Sequence, residues 1–163
     1  MVRTWDHAEE RHVWGEEMAF VSVTRLRVRT AWFLPGFFWY ALGSMRQAER
    51  SEGFLGGRVL SNAQKVFWTV TVWKDERAMN AYRTKGAHLK AMPKLLHWCD
   101  EAAVAHWSQE SAEIPAWDEA HRRMVEEGRA SKVQYPSAAH KAKEIAAPVA
   151  KGSARTLKPR RQA

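Results

Sequence analysis

A single cysteine, Cys99, occurs in the 163 residues. An intrachain disulfide is excluded, and a reducing, cytoplasmic setting is the expectation. Cys99 stands in "LHWCDEA" with no second thiol beside it and no general base arranged near it. It therefore reads as a small buried residue, not as a nucleophile. No H-x-x-x-H, C-x-x-C or acid-rich cluster is present, so no metal site is expected. A phosphate loop, a G-x-G-x-x-G and a nucleophile–His–acid order are also missing; "EGFLGG" leads into a strand and reads as a turn. The stretch "AWFLPGFFWYALGSM" carries no charge, yet it is shorter than the roughly 20 apolar residues a membrane span requires. Pro35 and Gly36 break it, and Arg29 and Arg46 flank it. No transmembrane segment is expected, while shallow contact with a membrane surface stays open. The N-terminus "MVRTWDHAEERHVWGEE" is charged where a secretory signal is apolar.

The chain is rich in tryptophan, nine in all, and in positive charge, formally +8. Six aromatic rings fall between Trp32 and Tyr40. Such a run serves either an aromatic-rich core or the wall of a pocket for an apolar ligand. The charge is localised. From Ala130 onward there are eight Lys and Arg and one acid, Glu144, so this segment holds most of the excess. It is rich in Ala, Lys, Pro and Ser and poor in large apolar residues, which predicts a disordered basic tail over 130–163. The basic pI then belongs to the tail and indicates no specific nucleic-acid partner.

Hydrophobic period gives the order of elements. "MAFVSVTRLRVR" alternates and is a strand. Thr30 caps the next element, and a broad apolar helix fits from Pro35 to about Arg50. "GGRVLS" and "KVFWTVTVW" form a hairpin, the second with the faces Val66, Trp68, Val70, Val72 and Phe67, Thr69, Thr71, Trp73. Asp75 opens a short helix that closes near Gly86. "AHLKAMPKLLHWCDEAA" is helical, with a kink or restart at Pro93. "VAHWSQ" is a last short strand, and "PAWDEAHRRMVEEG" a C-terminal helix. Strand, helix, strand, strand, helix, strand is the split βαβ order of ferredoxin-like α+β folds. The division expected is an N-terminal extension (1–15), the α+β domain (16–110), a C-terminal helix (111–129) and the tail. The face with Val66, Trp68, Val70 and Val72 is too apolar for water. It predicts a homodimer through the sheet.

The segments "FVSVTRLRV", "EGFLGG", "FWTVTVWKDERAMNAYRTKGAH" and "EAAVAHW" resemble the dimeric α+β barrel superfamily, and within it the antibiotic-biosynthesis monooxygenases. A smaller bacterial group related to spheroidene monooxygenase is also similar. The resemblance implies a pocket between sheet and helices, and chemistry that ranges from cofactor-free oxygenation to haem-dependent reactions. In haem-degrading members an Asn on the first strand, a Trp ending the third and a His on the next helix act together. Here Thr24, Trp73 and Met92 stand at those places, so two of three depart, and His88 lies one turn before Met92.

The expectation is a monooxygenase-like protein acting on an aromatic or polyene molecule, cofactor-free or supported by haem. The candidate catalytic residues are His88, Trp73 and Thr24. The candidate substrate contacts are Phe37, Trp39, Tyr40, Phe67, Thr69, Thr71 and Met92. A non-catalytic binder of a hydrophobic metabolite or haem is the alternative. A structural dimer whose tail meets anionic partners is a third reading. His97 and His106 are weaker histidine candidates.

Overall fold

A computed structural model describes residues 18–149 and 151–160; the expected extension 1–15 lies outside them. Strand β1 (Ala19–Val28) alternates as its sequence dictates. Val21 and Val23 are sealed on one face, and Ser22 and Thr24 are half-exposed on the other. Thr30 Oγ1 accepts the Trp32 N–H and opens a 3-10 turn (Ala31–Phe33), which runs into helix α1 (Leu34–Arg50) with Pro35 in its first turn. Strands β2 (Phe54–Ser61) and β3 (Val66–Trp73) form the hairpin. The turn is closed by Asn62 Oδ1, which accepts the Gln64 and Val66 N–H groups. Asp75 caps helix α2 (Glu76–Arg83) by accepting the Ala78 N–H at 2.7 Å.

Helix α3 (Gly86–Trp98) runs through Pro93 without a break and stops at Trp98. The expected helical "CDEAA" is instead the start of strand β4 (Cys99–Gln109). Its carboxylates explain the difference. Across the β1–β4 ladder Arg27 clasps Asp100 at 2.7 and 2.9 Å, and Arg25 meets Glu101 at 2.6 Å. Those partners are distant in sequence, so local propensity gives no sign of them.

The four strands lie in the order β4-β1-β3-β2, all antiparallel, as the split βαβ pattern requires. Helices α1 to α3 cover one face. The expectation that the other face is apolar holds, but its cover is corrected: this chain supplies it. Helix α4 (Trp117–Glu127) packs Ala120 and Met124 on Val21, Val23, Trp68, Val70 and Val72, with Ile114, Trp117 and Ile145 around them. Trp68 is 1% exposed in the single chain, so the face assigned to a homodimer is closed within it. A tethered cover avoids the loss of translational freedom that a second copy suffers.

The predicted disorder of the tail is also corrected over residues 130–149 and 151–160. Strand β5 (Arg129–Ala130) joins β4, a short helix α5 (Ala138–Lys141) follows, and β6 (Ser153–Leu157) pairs with the free edge of β2. Composition undercounts what holds this segment. Few apolar anchors are needed when the backbone finds a ladder: Val133 and Leu157 are buried, and the Arg160 N–H donates to the Glu49 carbonyl at 2.7 Å. Leu157 sits opposite Gly57, where any Cβ would lie 2.6 Å from the Val70 carbonyl oxygen.

Candidate functional site

The helix-covered face has two dry ends and a wetter middle. At one end Phe20, Phe54 and Trp73 pack with Ala48 and Met79; at the other, Val28, Phe37, Phe67, Cys99 and Val133 do so. Between them the ladder aligns two rows across the central strands. His106, Ser22 and Thr71 form one; Val104, Thr24, Thr69 and Val59 form the next. All but Thr71 are half-exposed. The two rows therefore form a partly exposed strip that bears hydroxyls, methyls and one imidazole.

His106 is the titratable group of these rows. Burial lowers its pKa from the ordinary 6.5, Arg129 and Arg83 lower it further, and Glu76 partly opposes them. It is a neutral base at physiological pH, beside Phe20 at 5.7 Å between ring centres. Thr71 Oγ1 donates to the Ser22 carbonyl at 3.3 Å, which leaves Ser22, Thr24 and Thr69 as the hydroxyls of these rows without a bond in the described structure.

The residues singled out in the sequence separate into four places. Thr24, Thr69 and Thr71 lie in these two rows. Trp73 is fully buried, edge-on to Phe54 at 5.1 Å and stacked on Tyr82 at 5.0 Å. His88 is half-buried and continues the stack, 4.8 Å from the Tyr82 ring, with Nδ1 3.2 Å from the Arg83 carbonyl. Burial lowers its pKa as well. Phe37 and Phe67 pack on each other at 4.4 Å inside the second end cluster. Tyr40 packs on Trp98 at 5.9 Å. Trp39, 77% exposed, and Met92, 48% exposed, face solvent. The trio His88, Trp73, Thr24 is not assembled: Trp73 lies opposite Phe20, four residues from Thr24 along β1. At about 3.4 Å per residue that is roughly 13 Å.

This donor set does not fit a haem. Met92 is turned outward, His88 is packed on Tyr82, and Trp73 is enclosed by core side chains. Among the described residues no group of three His, Cys, Asp or Glu is placed to hold a metal ion. Cys99 is buried and its thiol is pushed up to about 12, first by burial and then by Asp100. It is inert at neutral pH.

Two contributors carried no motif. Gln47 joins α1 to the α2–α3 junction: its Nε2 donates to the Tyr82 and Lys85 carbonyls, and its Oε1 accepts the His88 N–H. Tyr82 bridges Trp73 and His88 and donates its hydroxyl to the Ser44 carbonyl at 3.1 Å. Its phenol pKa is raised by burial. A cavity of about 140 Å³ lies on the opposite face, lined by Arg25, Glu101, Met124, Arg129 and His140 among others. Its two buried charges neutralise each other at 2.6 Å, and Ser137 donates a further bond to Glu101.

Among solved structures the chain is similar to NE2512, a protein of unknown function from Nitrosomonas europaea. The match has 13% identity and a TM-score of 0.50, and covers 63% of this chain and 99% of that one. PA3566 from Pseudomonas aeruginosa matches at 7% identity and a TM-score of 0.50, over 58% and 97% of the two chains. SnoaB, a cofactor-independent oxygenase from Streptomyces nogalater, matches at 16% identity and a TM-score of 0.46, over 58% and 94%. At these identities the likeness concerns fold alone, and each neighbour leaves more than a third of this chain without a counterpart. No curated protein matches the chain. The model of a domain of unknown function, DUF3291, matches residues 16–132, which include all four strands of the ferredoxin-like sheet and helix α4. The chain therefore belongs to the DUF3291 family and carries it on a ferredoxin-like α+β fold.

Proposed function

We propose that this protein binds a flat, largely apolar molecule, aromatic or polyene, in the cleft over β1, β3 and β4, and acts on it as a monooxygenase-like enzyme. The observation that carries the binding half is the half-exposed double row of Ser22, Thr24, Thr69, Val104 and His106 between two sealed aromatic clusters. A floor of this kind offers van der Waals contact to a ring system and a few polar anchors at fixed places. The catalytic half rests on the superfamily resemblance and on His106. A neutral imidazole takes a proton from a phenolic or enolic substrate, and Arg83 and Arg129 favour the negative charge that results. Thr24 Oγ1 is the hydroxyl that orients the substrate's polar edge. His88, Trp73 and Tyr82 hold the wall of helices α2 and α3 in place.

The test is calorimetric titration of the full chain with a polycyclic phenol and with a polyene, beside oxygen uptake on the same compounds. Thr24→Val should weaken binding roughly tenfold by loss of one hydrogen bond. His106→Leu should abolish uptake while binding persists. Unchanged affinity in Thr24→Val and unchanged uptake in His106→Leu would remove the cleft from consideration.

A further inference from the structure

Helices α1 and α3 pack side by side, and their outward surface, together with the 3-10 turn that leads into α1, is apolar and basic at once. Trp32 is 90% exposed and Trp39 77%; Leu42, Leu89, Met92 and Leu96 are also open to solvent. Single exposed apolar side chains are ordinary, but this concentration on two adjoining helices is not. The charges that the two helices carry to the surface have one sign. No acid occurs between Met18 and Ala48, and none between Arg77 and Cys99. The one carboxylate of α1, Glu49, is buried and lies 3.3 Å from Arg160. Arg46, Lys85 and Lys90 are exposed on or beside the two helices. Lys94 lies over the rings of Tyr40 and Trp98 at 5.1 and 5.8 Å.

We propose that the outer surface of α1 and α3 docks on an anionic lipid bilayer. Trp32 and Trp39 enter the headgroup layer, where an amphipathic indole is best accommodated. Arg46, Lys85 and Lys90 sit over the lipid phosphates. The charge pattern selects this occupant. A second copy of the same face would set cations against cations. A nucleic acid would use the cations but leave the exposed Leu and Met without partners. The proposal does not depend on the cleft or its ligand.

The experiment is co-sedimentation of the full chain with vesicles of phosphatidylcholine alone and of phosphatidylcholine mixed with phosphatidylglycerol. Binding to the anionic vesicles should be roughly tenfold or more tighter and should weaken as salt is added. The Trp32→Ser, Trp39→Ser double variant should lose roughly tenfold or more of that binding. Its melting temperature should hold, because both side chains are exposed. The Arg46→Glu, Lys90→Glu variant should lose the preference for anionic vesicles. Equal binding to both vesicle types, no binding to either, or unchanged binding by the tryptophan variant overturns the proposal. So does a wild-type dimer in light scattering that the tryptophan variant abolishes, which would assign the surface to a second copy.

Discussion

Trp73 is enclosed on all sides, and its Nε1 has no acceptor among the described residues. Its value to the fold is the ring, packed on Phe54 and Tyr82, and not the N–H. Trp73→Ala should therefore cost about 3–5 kcal/mol of stability in urea unfolding. Trp73→Phe should cost far less, since it keeps a ring and removes a buried donor without a partner. The histidines give a second outcome. His88 and His106 both have pKa values below the ordinary 6.5, chiefly through burial. Below that value the unfolded chain binds protons that the folded chain refuses, so stability is full above it and is lost as pH falls through the folded values. Arg83 and Arg129 disfavour the charged form of His106, Glu76 favours it, and the Arg83 carbonyl favours that of His88. Thermal melts from about pH 8 down to about pH 5 should show a decline that His88→Gln and His106→Gln each flatten.

Among the helices and strands, the join of α2 to α3 depends on one glycine and one glutamine. Gly86 has φ +64°, and a Cβ there would lie 2.9 Å from the Gln47 side-chain amide. That amide cannot retreat freely, because three hydrogen bonds hold it to Tyr82, Lys85 and His88. Gly86→Ala should cost about 1–2 kcal/mol from the left-handed backbone alone, and more from the displaced amide. The excess should shrink when Gln47→Ala is combined with it, which a double-mutant cycle measures. Much of this level was legible in the sequence. The strand at β1, the hairpin, the Asp75 cap and the α1 helix follow from period 2, period 3.6 and local capping chemistry. The start of β4 was not legible, because Asp100 and Glu101 are drawn into the sheet by Arg25 and Arg27, more than seventy residues away in sequence.

In the molecule taken entire, the C-terminal segment closes the protein on itself. It places α4 over the bare face of the sheet and β6 on the edge of β2. Leu157, 1% exposed, joins the cluster of Phe20, Phe54 and Trp73. Leu157→Ala should cost about 2–5 kcal/mol. Removing residues 131–163 should lower the melting temperature by many degrees and expose the β2 edge to association. Calorimetry and light scattering on the truncated chain check both. A melting curve identical to that of the full chain would mean that β6 and its anchors add nothing to stability.

Local periodicity was enough to establish the order of four strands and three helices and the two faces of each central strand. It also showed that the face of Val66, Trp68, Val70 and Val72 must be covered. Three features came from the packed molecule: the cover is this chain's own α4, the basic tail contributes a strand, β6, to the sheet, and His106 rather than His88 lies in the row next to that of Thr24. Each of these is fixed by strand register and by contacts between residues far apart in the chain. A pattern of hydrophobicity states that a surface must be buried and carries no record of what buries it.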